Sequence, residues 1–360
     1  MYFYYEPVPD PLPPAALDDY LERGYFRMGG GMYREDLTYH EGRFLNSFRT
    51  RLSLHALTFS KSQRKLLRRN AEFRTVVTND TVDSRHFDLE RRYRNYRGRH
   101  PEGTILDVIR DADGISNPFT TKQIQIYHQE RLIGYSFFDV GERYGASLLA
   151  VFEPEFANRS LGYWTMLLEM QWLQQEGFDF YSPGSVTPGQ RAMDYKRRIG
   201  ALDYYNVYRQ CWLPLRELNE ARDLAGRTVE RRMLMLGKKL VSCGIPVGFG
   251  LYPLYGIAPE MFEERPLGLR NYAAPLALWL LPNGSQEQFI LLYDFSRRGW
   301  MVYHIPTLPE GFEAFPDEWV VPTITHYLAY PNDHSLFVTD EQILGYAVNL
   351  CVHYLDRIRA

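Results

Sequence analysis

Two strand-like runs, an amphipathic helix and a further short strand follow one another between Gln123 and Tyr181, and this order limits the fold more than any other feature. The first run, IQIYHQERLIGYSFFDVG, and the second, ASLLAVF, carry apolar residues as strands do and are separated by a turn at Gly141–Gly145. Ser160–Glu176, SLGYWTMLLEMQWLQQE, repeats its apolar residues at helical spacing; Gly177 supplies a stop, and Phe178–Tyr181 returns to strand. Strand, helix and strand in this order make a β-α-β unit, so an α+β fold is expected.

Shorter signals surround this unit. Pro7–Pro14 reads as an extended lead-in, followed by a helix over Leu17–Arg23 that Gly24 stops. The glycines at 29–31 lack the spacing and the Lys-Ser or Lys-Thr of a phosphate-binding loop, which makes them a turn between short elements. Phe44–Leu54 alternates as a strand exposed on one face, with Arg49 and Arg51 turned toward a groove. Gln63–Asn70 is predicted as a helix anchored by Leu66 and Leu67 and capped by Ser60 or Ser62, and Leu89–His100, LERRYRNYRGRH, as a second basic helix. Past Trp212 come a helix over Leu215–Cys243, the strands PLALWLLP and QFILLYDF, and a closing helix near Asp340–Arg359. The expected domains are therefore 1–88, 89–212 and 213–360.

Formal charge is only −3, yet Ser60–Asn70, SKSQRKLLRRN, holds five cationic side chains, Lys61, Arg64, Lys65, Arg68 and Arg69. A local field of this kind points to an anionic partner. In Leu89–His100 the arginines alternate with Tyr93 and Tyr96, which suits RNA bases and phosphates, or equally a solvated helix whose tyrosines anchor it to a core. Apolar residues make up 45% of the chain, enough for sizeable cores, but no run reaches the roughly 18 residues of a membrane span. The first residues do not read as a secretory signal, so a cytoplasmic location and no membrane partner are expected. Cys211, Cys243 and Cys351 form no CxxC pair, and His40, His55, His86, His100 and His128 have no HxH or HExxH spacing. They read as buried thiols and packed or surface histidines, and no metal is expected.

Four segments taken in order, SKSQRKLLRRN, LERRYRNYRGRH, FEPEFANRSLGYWTMLLEMQWLQQEGFDFY and MDYKRRIGALDYY, resemble the arginyl-tRNA-protein transferases and their bacterial leucyltransferase relatives. The resemblance covers roughly Tyr20–Tyr205. Phe156 and Ile199 stand where the family usually has Tyr and Phe, and no cysteine precedes Cys211, so the family's N-terminal cysteine cluster is absent. Tyr181-Ser182-Pro183-Gly184 replaces the family's Tyr-Leu-Gly-Tyr strand end, close to where its catalytic groove lies.

The resemblance implies a GNAT-like acyltransferase fold, with a mixed sheet whose central strands splay to admit an acyl donor. It implies transfer of arginine, or of leucine, from charged tRNA to the N-terminal Asp or Glu of acceptor proteins, marking them for degradation, without a cofactor. Tyr195 and Lys196 match the family's Tyr-Lys pair, with Lys196 set against phosphate or a developing oxyanion, and Asp139 matches an acid that orients the amine or takes its proton. Ser160, Leu161 and Gly162, at a helix start with unpaired N–H groups, are expected at the donor's terminal phosphate or ribose. Arg64, Arg68 and Arg198 are candidates for the acceptor carboxylate; Lys65, Arg69 and Asn70 complete the substrate-binding set, Lys65 and Arg69 on the tRNA backbone. Two rival readings are acyl-CoA-dependent N-acetyl transfer on the same fold, and a tRNA- or degron-binding module that has lost catalysis.

Overall fold

The computed structural model describes residues 3–40, 43–55, 57–98, 105–110, 116–188, 191–207, 209–219, 225–251, 276–280, 288–294, 298–305 and 336–349. They fall into two compact units, one of residues 6–34 and 47–218 and the other of residues 1–5, 35–46 and 219–360.

Strand β1 (Phe3–Pro7) precedes α1 (Pro14–Glu22), which begins on a proline, as suits a position whose N–H has no intrahelical acceptor. A hairpin of β2 (Phe26–Met28) and β3 (Gly31–Glu35) turns through the expected glycines. A second hairpin, β4 (Leu37–His40) with β5 (Arg43–Asn46), is followed by β6 (Phe48–Ser53). The strand expected over Phe44–Leu54 is thus two strands, and its arginines are not on an open face. Arg49 is buried, with its guanidinium over the Tyr33 and Phe26 rings, and that of Arg51 lies over Phe180 and Trp212. The arginine face of β6 is covered at Arg49, partly covered at Arg51 and open only at Ser53, while Phe48, Thr50 and Leu52 on the other face are all buried.

Helix α2 (Lys61–Arg69) starts in a capping box: the Ser60 hydroxyl accepts the Gln63 N–H at 3.3 Å while Gln63 Oε1 accepts the Ser60 N–H at 2.7 Å. After β7 (Arg74–Asn79), helix α3 (Ser84–Tyr96) begins five residues before the predicted Leu89, because Asp83 caps it with His86 as the reciprocal partner. His100 lies outside the described residues. Short α4 (Ile105–Ile109) leads to β8 (Thr121–His128), β9 (Arg131–Val140) and β10 (Tyr144–Phe152). The first predicted run is two strands, since Gln129 at φ 56° turns the chain. Then come α5 (Leu161–Gln175), β11 (Phe180–Val186), β12 (Leu202–Asn206) and β13 (Cys211–Pro214).

These strands build an eight-stranded sheet in the order β13-β12-β6-β11-β10-β9-β8-β7. β10 and β11, joined through α5, are its parallel pair, and every other neighbouring pair is antiparallel. The β-α-β unit and the mixed sheet of an α+β fold are therefore present. One face packs on α5, where Leu161, Trp164, Leu167, Met170 and Leu173 meet Ile126, Phe138 and Tyr181. The other packs on α3 and α4 through Leu89, Ile105, Ile109, Tyr135 and Phe137. Alternation along β9 sends Phe138 to α5 and Tyr135 and Phe137 to α3. β6 and β7, from before residue 89, share this sheet with strands that follow it.

In the other unit, α6 (Ala225–Ser242) accompanies an antiparallel meander of β14 (Val247–Leu251), β15 (Leu276–Leu280), β16 (Gln288–Asp294), β17 (Gly299–Ile305) and β18 (Leu336–Thr339). Both predicted strands of this tract are there. Residues 343–349 are helical, and the remainder of the predicted closing helix lies outside the described residues. Among the described residues no helix is long and apolar enough to cross a membrane.

Candidate functional site

β10 and β11 pair over three rungs only, Tyr144 with Phe180, Gly145 with Tyr181 and Ala146 with Ser182. Beyond them β10 runs on to Phe152 and β11 to Val186, so the two central strands part. The cause is local. Pro183 has no N–H to donate, Gly184 sits at φ +90°, and the register of β11 against β6 shifts between Tyr181 and Gly184. Thr50 on β6 fixes the bulge, its hydroxyl donating to the Gly184 carbonyl at 2.8 Å while its own carbonyl accepts from the Ser182 hydroxyl at 3.1 Å.

Glu169 of α5 stands on the helical side of this parting, fully buried. The Tyr181 hydroxyl donates to its Oε2 at 2.7 Å, and Oε1 has no partner among the described residues. Burial pushes its pKa up to about 7, against the opposing pull of the Tyr181, Ser136 and Ser147 hydroxyls. The same enclosure raises the Tyr181 phenol well above its usual value. Glu169 is not among the residues singled out from the sequence. Its neighbours one turn away, Met166 and Leu173, are both buried, and that spacing is the signal that places Glu169 inside.

Across β11, Lys196 lies in a 3-10 turn (Arg191–Arg198) rather than at a strand start. Its Nζ would stand 3.0 Å from a Cβ on Gly184, so the glycine makes room for the amine. Burial, and secondarily the charge of Arg49, lowers its pKa to about 8. Tyr195 is exposed and meets Tyr163 edge-on at 6.5 Å between ring centres. Although the residue is 36% exposed, desolvation raises its phenol first, with the fields of Tyr93 and Glu169 adding to the rise, and the edge contact with Tyr163 of α5 puts it on the α5 side.

Gln63, not singled out from sequence, joins three of the predicted motifs. Its Nε2 donates to the Tyr163 hydroxyl at 3.0 Å and to the carbonyls of Arg198 and Ile199 at 3.2 and 3.0 Å. At the other end of α2, buried Asn70 donates to the Arg159 carbonyl at 3.0 Å, and the Arg159 guanidinium returns to the Arg69 carbonyl at 3.2 Å. The structure thus brings Asn70 to the loop that holds Ser160, Leu161 and Gly162. Ser160 does not cap α5 with its side chain; at φ 54° it offers its carbonyl to the N–H groups of Tyr163 and Trp164. Lys61, Arg64, Lys65, Arg68 and Arg69 are exposed and have no acidic partner among the described residues; Arg64 donates to the Phe59 carbonyl. Arg198 is also exposed.

Asp139 is not part of this group. It lies on the α3 face of β9, accepting from Arg27 Nη1 at 2.8 Å and from the Thr121 hydroxyl at 2.5 Å. Burial raises its pKa while Arg27 and Thr121 work against the rise. Among the described residues no group of three or more His, Cys, Asp or Glu is placed to hold a metal ion.

The family described as arginine-tRNA-protein transferase, C terminus, matches residues 60–206, from the capping serine of α2 to the end of β12. An aspartate/glutamate leucyltransferase of Xanthomonas oryzae pv. oryzae is 30% identical over 173 residues, which are 46% of this chain and 68% of that relative. The chain belongs to the arginine-tRNA-protein transferase family. Other relatives in this transferase family are the aspartate/glutamate leucyltransferases of Ruegeria pomeroyi, 28% identical over 43% of this chain, and of Xylella fastidiosa, 25% identical over 57%. The chain spans 58% of the Ruegeria relative and 81% of the Xylella one. Among solved structures, the C-terminal domain of a putative lysylphosphatidylglycerol synthetase from Agrobacterium fabrum aligns at TM-score 0.32 and 13% identity, covering 39% of this chain and 48% of that one. A tandem GNAT protein from the clavulanic acid biosynthesis pathway aligns at TM-score 0.30 and 12% identity, covering 55% and 58%.

Proposed function

We propose that this protein moves an aminoacyl group from charged tRNA to the α-amine of acceptor proteins that begin with Asp or Glu. The observation that carries the reading is the parting of β10 and β11, with Glu169 at its wall and the exposed cations of α2, which have no acid among the described residues, tied by Gln63 and Asn70 to the start of α5. The exposed cations meet the tRNA backbone, and the N–H groups of Leu161 and Gly162 face its terminal phosphate. The acceptor ammonium gives a proton to the Glu169 carboxylate, and the free amine attacks the ester carbonyl. A C–N bond forms, the C–O bond to the ribose breaks, and the second amine proton leaves with the ribose oxygen. Tyr195 lines the mouth beside Tyr163, and Asp139 holds the sheet rather than the substrate.

The curated relatives are named for leucyl transfer to aspartate and glutamate, which puts leucyl-tRNA first as donor and arginyl-tRNA second. Charged tRNA implies a cytoplasmic setting. The deciding measurement is peptide labelling by purified protein supplied with labelled leucyl- or arginyl-tRNA and peptides beginning with Asp, Glu or Lys. Labelling of the two acidic peptides is expected; tRNA binding with no labelling from either donor would leave a binding module in place of a transferase.

A further inference from the structure

Arg49 and Lys196 lie against one short stretch of β11 with no acid beside them among the described residues. Arg49 is 5% exposed; its Nη1 donates to the Ser185 hydroxyl at 2.7 Å, and its Nε and Nη2 have no acceptor among the described residues. Those two nitrogens form one edge of the guanidinium plane, the edge that accommodates both oxygens of a carboxylate side by side. The flat faces are taken: Tyr33 and Phe26 have ring centres 4.4 and 5.0 Å from Cζ. The neighbouring Lys196 ammonium stands over Gly184, a residue away from Ser185, and makes no hydrogen bond or ion pair among the described residues.

Arg27 shows what this fold does with a structural arginine. It is equally enclosed, yet its three nitrogens reach Asp139, Thr121, Asn117 and the carbonyls of Gly29 and Ile109. An enclosed cation left without a counter-charge is strongly unfavourable, because it gives up hydration and gains no partner, and a second cation beside it adds repulsion. An arrangement retained at that cost is complete only when an anion enters it.

We propose that Arg49 and Lys196 hold the side-chain carboxylate of the acceptor's N-terminal Asp or Glu, Arg49 through Nε and Nη2 and Lys196 as a second charge. This assignment rests on the transferase reading for the identity of the anion. A planar carboxylate suits an edge walled by aromatic rings, whereas the tRNA phosphates have the exposed cations of α2. Arg64, Arg68 and Arg198, exposed on the surface, then leave the acceptor to Arg49.

The test is fluorescence anisotropy of labelled peptides beginning with Glu, Gln or Lys, titrated with the full chain in the absence of tRNA, so that no turnover is needed. Wild type is expected to favour Glu over Gln by about tenfold or more, since Gln leaves the charged edge half-used. Arg49→Gln and, separately, Lys196→Gln should bring the two peptides within about twofold, with the circular dichroism spectrum unchanged. Arg49→Lys should restore little, because it lacks the planar edge. Should Arg49→Gln not fold, Lys196→Gln on its half-buried turn decides alone. A Glu preference that survives in the folded variants, or a wild type that labels acidic peptides yet binds Glu and Gln peptides alike, overturns the assignment. A wild type that binds Glu peptides through Arg49 but labels none with any donor removes the transferase reading and keeps the anion site.

Discussion

The two faces of the central sheet each enclose a carboxylate with one unpartnered oxygen among the described residues, and the two differ in what meets the other oxygen. Asp139, on the α3 face, has an arginine and a hydroxyl within 2.8 Å. Glu169, on the α5 face, has no cation beside it among the described residues; it accepts from the Tyr181 phenol and has only the Ser136 and Ser147 hydroxyls besides. A charge matched in place holds strands together; a charge left unmatched keeps its proton near neutrality and is available for chemistry. The two arginine-rich helices repeat the contrast. On α3, Arg85 pairs with Asp83, Arg91 with Asp88, Arg92 with Glu153 and Arg94 with Glu90, whereas the cations of α2 have no acid among the described residues.

The largest effect expected from breaking this contrast is at Glu169. Glu169→Gln should lower peptide labelling by roughly 10²–10⁴-fold and flatten the rise in labelling through pH 7 that wild type should show. Stability should move the other way. The folded pKa of about 7 is above the ordinary 4.5, so the contribution of this carboxyl is complete below about pH 4.5 and is lost as pH rises through 7. The glutamine variant should match wild type in urea melts near pH 4.5 and exceed it above pH 7 by up to about 3 kcal/mol.

Asp139→Asn should do the reverse, stranding Arg27 in the interior at a cost of about 3–5 kcal/mol in the same melts. A loss of labelling much larger than the loss of folded protein would return Asp139 to the site and break the comparison. Next in size, Arg68→Ala with Arg69→Ala should weaken tRNA binding by about tenfold at 0.15 M salt and make the salt dependence shallower. If affinity and slope stay unchanged, the α2 cations have another partner. Smallest is Arg91→Gln on α3, where an exposed pair is removed: a change within about 0.5 kcal/mol and no change in tRNA affinity are expected.

The β-α-β unit was legible because apolar periodicity and a terminating glycine are local signals, and α2 because the Leu66–Leu67 pair follows a serine-rich start, although which serine caps it and the part Gln63 plays in the cap were not. Burial was not. Arg49 reads as a solvent-facing strand residue until the β2–β3 hairpin, twenty residues earlier in the chain, is known to lie over it. Glu169 reads as polar by type, although its position beside Met166 and Leu173 was available to correct this. Asp139 was placed on the correct strand end by family likeness, but its pairing with Arg27 depends on a contact 112 residues apart in the chain, which no window reveals.

The three rungs between β10 and β11 have a mechanical consequence. Among the described residues they are the only strand ladder joining the half-sheet β13-β12-β6-β11 to the half-sheet β10-β9-β8-β7. The sheet therefore has a seam, with α5 as its strap. Amides of β10 past Ala146 that point toward β11 should exchange with solvent sooner than those that bond to β9, and a hinge along this line can widen the cleft without breaking another strand pair.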